Sequence, residues 1–299
     1  MTRNTFSQLI AGAFISLCLA TAPARALSDH TYVSGKGTDT GGCTAPATPC
    51  RTFAFAIAQT AASGTIIAID PANYGPVTIT KSISIVADGG GPAGIFITTG
   101  TAITISAGAS IIVNLRGLTL DGSGTASVGI SGGFASSTSD LKPAATITDC
   151  FIRHFSGDGI SLGGAATVKF RNSNTVSSDN GGHGLFATFA FLPFNGVLDR
   201  FTASGDNIGI DLESRETGID VTIVDSVVAN NFSDGLRLGA PGIPGSTAVA
   251  TLAGSIVTKN GGTGVNISPG STVFSYGDNE INGNVTDVVG TLTPLAKKW

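Results

Sequence analysis

From Val128 to Val289 the chain repeats a glycine followed by alternating apolar and polar residues. The repeat reads Gly129-Ile130, Gly159-Ile160-Ser161-Leu162, Gly184-Leu185-Phe186-Ala187, Gly209-Ile210-Asp211-Leu212, Gly235-Leu236-Arg237-Leu238 and Gly264-Val265-Asn266-Ile267. Successive glycines stand 30, 25, 25, 26 and 29 residues apart. A recurring period of roughly 20–50 residues marks a solenoid, in which each unit buries its apolar face only against its neighbours. Each unit carries two more short runs after the glycine-led one, such as Thr167-Val168-Lys169 and Thr175-Val176. Three short β-branched runs per period predict a coiled chain whose strands stack in parallel on their counterparts about 4.8 Å away.

The same rhythm reaches back, without the glycine marker, to Gly64. Thr65–Ile69, Val77–Ile79, Ile83–Val86, Ile95–Thr98, Ile103–Ile105, Ile111–Val113 and Leu118–Leu120 are short apolar runs separated by Asp-Pro, Tyr-Gly and Gly-Gly-Gly turns. Residues 64–299 are thus expected to form about nine coils, a rod on the order of 40 Å long. Gly132 to Pro143 is polar and is expected to bulge as a loop. Ahead of the coils, residues 27–63 are expected to form a cap. It has a short strand at Thr31–Val33 and an amphipathic helix over Phe53–Ala62, with Phe53, Ile57 and Ala61 on one face. A cap is needed because the open end of a solenoid exposes strand edges and core side chains. The predicted class is all-β, a single-stranded parallel β-helix with a short N-terminal capping helix.

Two polar columns recur with the coils. Asp149, Asp199 and Asp225 precede the third strand, while Asn231, Asn260 and Asn284 follow Val228, Val257 and Ile281 by three residues. Both are read as coil corners, since Asn and Asp tolerate left-handed backbone and bond neighbouring backbone groups.

Composition narrows the partners. Charged residues are only 12% of the 299, and the net charge is −4. No basic stripe suited to nucleic acid is present. Arg3, the apolar stretch Leu9–Thr21 and Ala24-Arg25-Ala26 form an export-signal pattern over residues 1–26. A secreted or periplasmic location is therefore expected, with no membrane span after signal removal. Of the four cysteines, Cys18 is expected to leave with the export signal; Cys43 and Cys50 are close enough to close a short loop in an oxidising compartment, and Cys150 then remains as a small buried thiol.

The glycine-led repeat, the Asn corners and the Pro49-Cys50-Arg51-Thr52-Phe53 cap together resemble the right-handed parallel β-helix proteins of the pectin-lyase-like superfamily. The resemblance covers nearly the whole mature chain. It implies a right-handed coil, on a fold that hosts lyases, hydrolases, epimerases and adhesins. Gly182-His183-Gly184-Leu185 is similar to the Gly-His-Gly motif of polygalacturonases, with Asp158-Gly159 one coil earlier near the position of that family's aspartate pair. That family's Asn-Thr-Asp and Arg-Ile-Lys motifs do not accompany it. His183 also occupies a slot that other coils fill with Asp158, Ile208, Asp234 and Thr263.

Candidate chemistry follows from the outward column of the glycine-led strand, which runs Ser161, Phe186, Asp211, Arg237 and Asn266. Asp211 and Arg237 become stacked neighbours, with Glu213, Asp206, Arg215, Glu216 and Asp234 close by. The catalytic candidates are Asp211, Arg237, Glu213, Asp234 and His183. Paired carboxylates serve as acid and base in glycoside hydrolysis. By resemblance to β-helix pectate lyases, carboxylates gathering calcium beside an arginine base are the other possibility. A surface ion pair worth about 0.2–1 kcal/mol is the plain alternative. Phe186, Phe189, Phe191, Phe194 and Phe201 are read mainly as core, with Phe189–Pro193 as a loop beside the groove. The expected function is binding or processing of an extracellular polysaccharide or cell-surface glycan. A non-catalytic adhesion or structural module is the alternative.

Overall fold

The computed structural model describes residues 27–88, 91–108, 110–135, 143–190, 193–214, 218–239 and 246–296. The expected export signal lies outside them, as do Arg215, Glu216 and Phe191. Among the described residues, the chain winds through three parallel sheets of eleven, nine and nine strands, plus one helix. The eleven-stranded unit is called the long sheet here. The glycine-led sheet holds His183–Phe189, Ile208–Ser214 and Leu236–Leu238, and the short-strand sheet holds Val176–Ser178, Thr202–Ser204 and Val227–Ala229.

Alternation dictates what each strand buries. In the glycine-led sheet Ile130, Ile160, Leu185, Ile210, Leu236 and Val265 are consecutive partners, one per coil, and all are buried. Residues one step along each strand form the outer column Ser131, Ser161, Phe186, Asp211, Arg237 and Asn266. A register slip of one residue would exchange the two columns, burying Arg237 inside the coil, so the pattern pins the register. Phe189, Phe194 and Phe201 are core residues. Phe189 belongs to the strand His183–Phe189 rather than to a loop beside a groove, because its inward position meets the Phe194 ring at 4.6 Å.

The corners work differently from the sequence reading. The left-handed residues of the second corner are Asp179, Gly205, Asn230, Lys259 and Gly283, each standing just before a ladder residue. Asn180, Asp206, Asn231, Asn260 and Asn284 come next and bond coil to coil. Asn231 Nδ2 donates to Asn260 Oδ1 at 2.9 Å, and Asn260 Nδ2 donates to Asn284 Oδ1 at 2.8 Å. The repeat glycine is required by crowding, since a Cβ at Gly209 would lie 2.7 Å from Asn231 Nδ2 and 2.7 Å from Gly235 O. At the other corner Asp149, Asn174, Arg200 and Asp225 are left-handed. Asp199 is the last residue of the strand Phe194–Asp199, and Arg200 takes the turn in that coil.

The helix spans Phe53–Gln59, with Thr52 Oγ1 accepting from Phe55 N at 3.1 Å as its N-cap. It stops before Ala62 because Thr60 enters the strand Thr60–Ala68, where its hydroxyl bonds the Thr31 hydroxyl at 2.8 Å. The first strand runs Ser28–Val33 and joins the long sheet, so the cap supplies a strand as well as the helix. Gly132–Phe134 continue the strand Val128–Phe134 instead of opening a loop, being paired in register with Ile105–Ala107. Cys43 and Cys50 form a disulfide, while Cys150 is free and buried. Burial pushes the Cys150 thiol up to about 12, which removes it as a nucleophile. No helix among the described residues is long and apolar enough to cross a membrane.

Candidate acid–base site

Register brings four charged side chains from successive coils into one network. Asp158 precedes the strand Ile160–Gly164, and His183 opens the next strand of the glycine-led sheet. His183 Nδ1 lies 2.8 Å from Asp158 Oδ1, which also accepts from the His183 backbone N at 3.0 Å. On its other side, His183 Nε2 lies 3.3 Å from Asp211 Oδ2. Arg237 clamps Asp211 from the following coil: Nε donates to Oδ1 at 3.0 Å and Nη2 to Oδ2. Arg237 Nη2 is also 3.5 Å from Glu213 Oε1. The His183 ring stacks on Phe186, with centroids 4.8 Å apart.

Asp211 stands on the outer face, yet its exposure is 0%. His183 and Arg237 cover it from the two neighbouring coils. The expectation of an openly displayed carboxylate is therefore corrected, and Asp211 orients the groups on either side of it. The side chains of Asp158, His183, Glu213 and Arg237 keep 17%, 21%, 19% and 21% exposure, so these four can meet a ligand. Asp234 is turned away, accepting from Thr263 N and Asn266 Nδ2, each at 2.8 Å. It acts on Arg237 through its field alone.

The electrostatics follow from this arrangement. Burial pulls the His183 imidazole down, but the hydrogen bonds to Asp158 and Asp211 and their charges outweigh it, raising His183 to about 9. At neutral pH it is an imidazolium, a proton donor rather than a base. Burial also pushes Asp158 up, and the bonds from His183 overcome that and hold it below the ordinary carboxylate range. Burial lowers Arg237 and the Asp211 bond raises it further, so the guanidinium is more firmly protonated than usual.

Asp206 is not part of the surface group. It replaces asparagine in the buried ladder, where Oδ1 accepts from Asn180 N at 2.9 Å and Asn180 Nδ2 at 2.8 Å. Its Oδ2 is buried without a partner. Burial pushes Asp206 up, the Asn180 bonds oppose it, and the charge of Asp179 adds to it, giving about 7.

A calcium site does not fit these residues. Among those described, no group of three or more His, Cys, Asp or Glu side chains is gathered to hold a metal. Calcium takes roughly 6–8 oxygen ligands, whereas Asp211 and Glu213 turn to the Arg237 guanidinium. The sequence reading brought Asp211, Arg237 and Glu213 together by strand alternation. It placed Asp158 beside His183 only through the polygalacturonase-like motif, although the 25-residue offset between two occupants of one slot was a direct signal for their contact. The Phe186–His183 stack had no such signal, since the two residues stand three apart on one strand, positions that simple alternation sends to opposite faces.

Similarity to known proteins agrees with the coil. The chain is similar to the crystal structure of pectate lyase Pel9A, at 13% identity and a TM-score of 0.55, over 92% of this chain and 80% of that one. It is also similar, at 16% identity and a TM-score of 0.39, to the A-module of mannuronan C-5 epimerase AlgE4 from Azotobacter vinelandii, over 79% of this chain and 91% of that one. No curated protein matches it. At these identities the first likeness speaks for the fold. Residues 65–291 match the family model described as a right handed beta helix region, and the chain belongs to that family.

Proposed function

We propose that this is an exported β-helix protein that binds and processes an extracellular polysaccharide by acid–base chemistry on its glycine-led face. The observation that carries the reading is His183 held as an imidazolium between Asp158 and Asp211, with Glu213 on the coil beyond. His183 donates a proton to the glycosidic oxygen as the carbon–oxygen bond breaks. Glu213 accepts a proton, from a ring carbon in elimination or from water in hydrolysis. Arg237 holds Asp211 and Glu213 in place, and Phe186 supplies a flat apolar surface beside the donor. Export is supported by the signal pattern and by the Cys43–Cys50 disulfide, which is stable in an oxidising compartment. The likeness to the pectate lyase Pel9A supports polysaccharide processing as the reaction class.

The test is turnover of purified protein on acidic and neutral polysaccharides, with and without calcium. Product release by wild type, abolished in both Asp211→Asn and Arg237→Ala, is the expected result. A second reading, a non-catalytic adhesion module, is favoured by the mutual pairing of His183, Arg237 and their carboxylates. It predicts no product from wild type, and a loss of stability as the only effect of the two variants.

A further inference from the structure

We infer that Asp206 is carried as a neutral acid whose Oδ2 hydroxyl donates to Asn231 Oδ1, and that losing this proton loosens the coil that presents His183. Asp206 is then a positioning residue for the proton donor, and the inference rests on that reading of His183 only for its bearing on turnover. The ladder geometry carries it. Each ladder amide nitrogen makes two bonds, one to the next coil and one to the coil before. Asn231 Nδ2 donates to Asn260 Oδ1 at 2.9 Å and to Ala203 O at 3.4 Å. Asn260 Nδ2 donates to Asn284 Oδ1 at 2.8 Å and to Val228 O at 3.2 Å. The same nitrogen crowds the repeat glycine: a Cβ at Gly235 would lie 2.6 Å from Asn260 Nδ2, and one at Gly264 would lie 2.5 Å from Asn284 Nδ2.

In the coil of Asp206, a Cβ at Gly184 would lie 2.5 Å from Oδ2. Oδ2 therefore fills the slot of the amide nitrogen, while Oδ1 accepts from Asn180 N and Nδ2 as every ladder oxygen does. The two groups that this slot bonds in other coils are here Asn231 Oδ1 and the Ser177 carbonyl, since Ser177 precedes Ala203 and Val228 in register. Both are acceptors. A carboxylate oxygen has nothing to offer them, which is why Oδ2 is buried without a partner; a protonated Oδ2 restores the bond to the next coil. The charged groups facing Asp206 are Asp179, which favours the neutral acid, and the His183 imidazolium, which opposes it. The following coil presents Asn231 and the Phe232 backbone, both uncharged. Asp206 is joined to the donor by a line of bonds. Asn180 Nδ2 donates to Ser177 Oγ at 3.1 Å, and Ser177 Oγ donates to Gly184 O at 2.9 Å, on the residue directly after His183. A carboxylate that withdraws from Asn231 Oδ1 slackens this line and the placing of His183 with it.

Infrared spectroscopy and native-state hydrogen exchange of the whole protein test the inference at about pH 5.5 and about pH 8.5, on either side of the Asp206 titration. At the lower pH, wild type should show the carbonyl band of a buried carboxylic acid, lost at the higher pH and absent from Asp206→Asn. Protection of the Asn180 and Asp206 amides should fall at least ~10-fold between the two, and by less than ~2-fold in Asp206→Asn. The His183 ring resonance should show a second inflection near 7 that Asp206→Asn removes. Asp179→Asn should move the loss of protection to lower pH and His183→Gln to higher pH, each following the charge it removes. The wild-type band and exchange profile decide the matter even where a variant folds poorly. None of these readouts needs turnover, so failure here and failure of polysaccharide processing are told apart. No acid band at the lower pH, equal wild-type protection at both, or an unchanged pH dependence in Asp206→Asn would each overturn it.

Discussion

Single residues in this molecule are readable from their place in a column. Asn172 belongs to the inward stack Leu115, Ile147, Asn172, Leu198, Ile223, Leu252, and both of its amide atoms are buried without partners. Leaving a buried polar group unpaired costs about 1–3 kcal/mol, so Asn172→Leu should raise the unfolding free energy by roughly that amount in urea titration. Asp206 makes the same point with a charge. Its folded value of about 7 exceeds that of an exposed aspartate near 3.8, so the folded state binds the extra proton. Stability therefore falls as pH rises from about 4 to 7 and stays reduced above. Asp206→Asn completes the ladder with an amide that needs no proton. Its gain should be on the order of 3 kcal/mol at pH 8 and small at pH 4. His183 has the same sign of dependence in a higher window: with a folded value of about 9, its contribution is complete below about 6.5 and is lost as pH rises through 9. Tm profiles of wild type, Asp206→Asn and His183→Gln between pH 4 and 10 separate the two.

At the scale of elements, the strands were more legible than the corners. Apolar alternation places Ile160 inside and Ser161 outside without reference to anything beyond the strand, and the structure keeps that assignment. Corners depend on which residue meets the next coil, which period alone does not state. The reading of Asn231 and Asn260 as corner residues was right in location. Their left-handed partners are Asn230 and Lys259, one residue earlier, and a lysine in that conformation carries no sequence signal. Asn180 was missed because its strand, Val176–Ser178, contains two serines where Asn231 and Asn260 follow valine and alanine or threonine. The ladder predicts a graded response. Asn231→Ala removes bonds to Asn260 and to the Asp206 backbone and should cost about 1–3 kcal/mol. Asn284→Ala, at the exposed end, should cost less. In the cap, the disulfide closes a loop over a sequence separation of 7, and Cys43→Ser/Cys50→Ser should lower stability by about 2 kcal/mol. Mass spectrometry of unreduced protein should show the linked peptide and one free thiol at Cys150.

For the whole molecule, the solenoid explains why fold and site were unequally legible. A rod of stacked coils repeats its inward pattern in every period, so the fold is stated many times over in the sequence. The acid–base network is stated once, by residues in slots that other coils fill freely: Asp158 and His183 share theirs with Ile208 and Thr263. The depth of Asp211 could not be foreseen, because alternation gives the side of the sheet and not what covers it. Two neighbouring coils, carrying His183 and Arg237, bury a carboxylate on the outer face of the rod. The coil should give a β-dominated circular dichroism spectrum with little helix. The central claim is more demanding: an imidazolium, tuned by two carboxylates, is the proton donor to a polysaccharide. The direct test is the pH dependence of turnover on the polysaccharide that wild type processes, run beside His183→Gln. The account predicts a rate that falls as pH rises through about 9, where His183 loses its proton, and a loss of at least ~100-fold in the variant at pH 7. A rate unchanged through pH 10, or full turnover by His183→Gln, would contradict it.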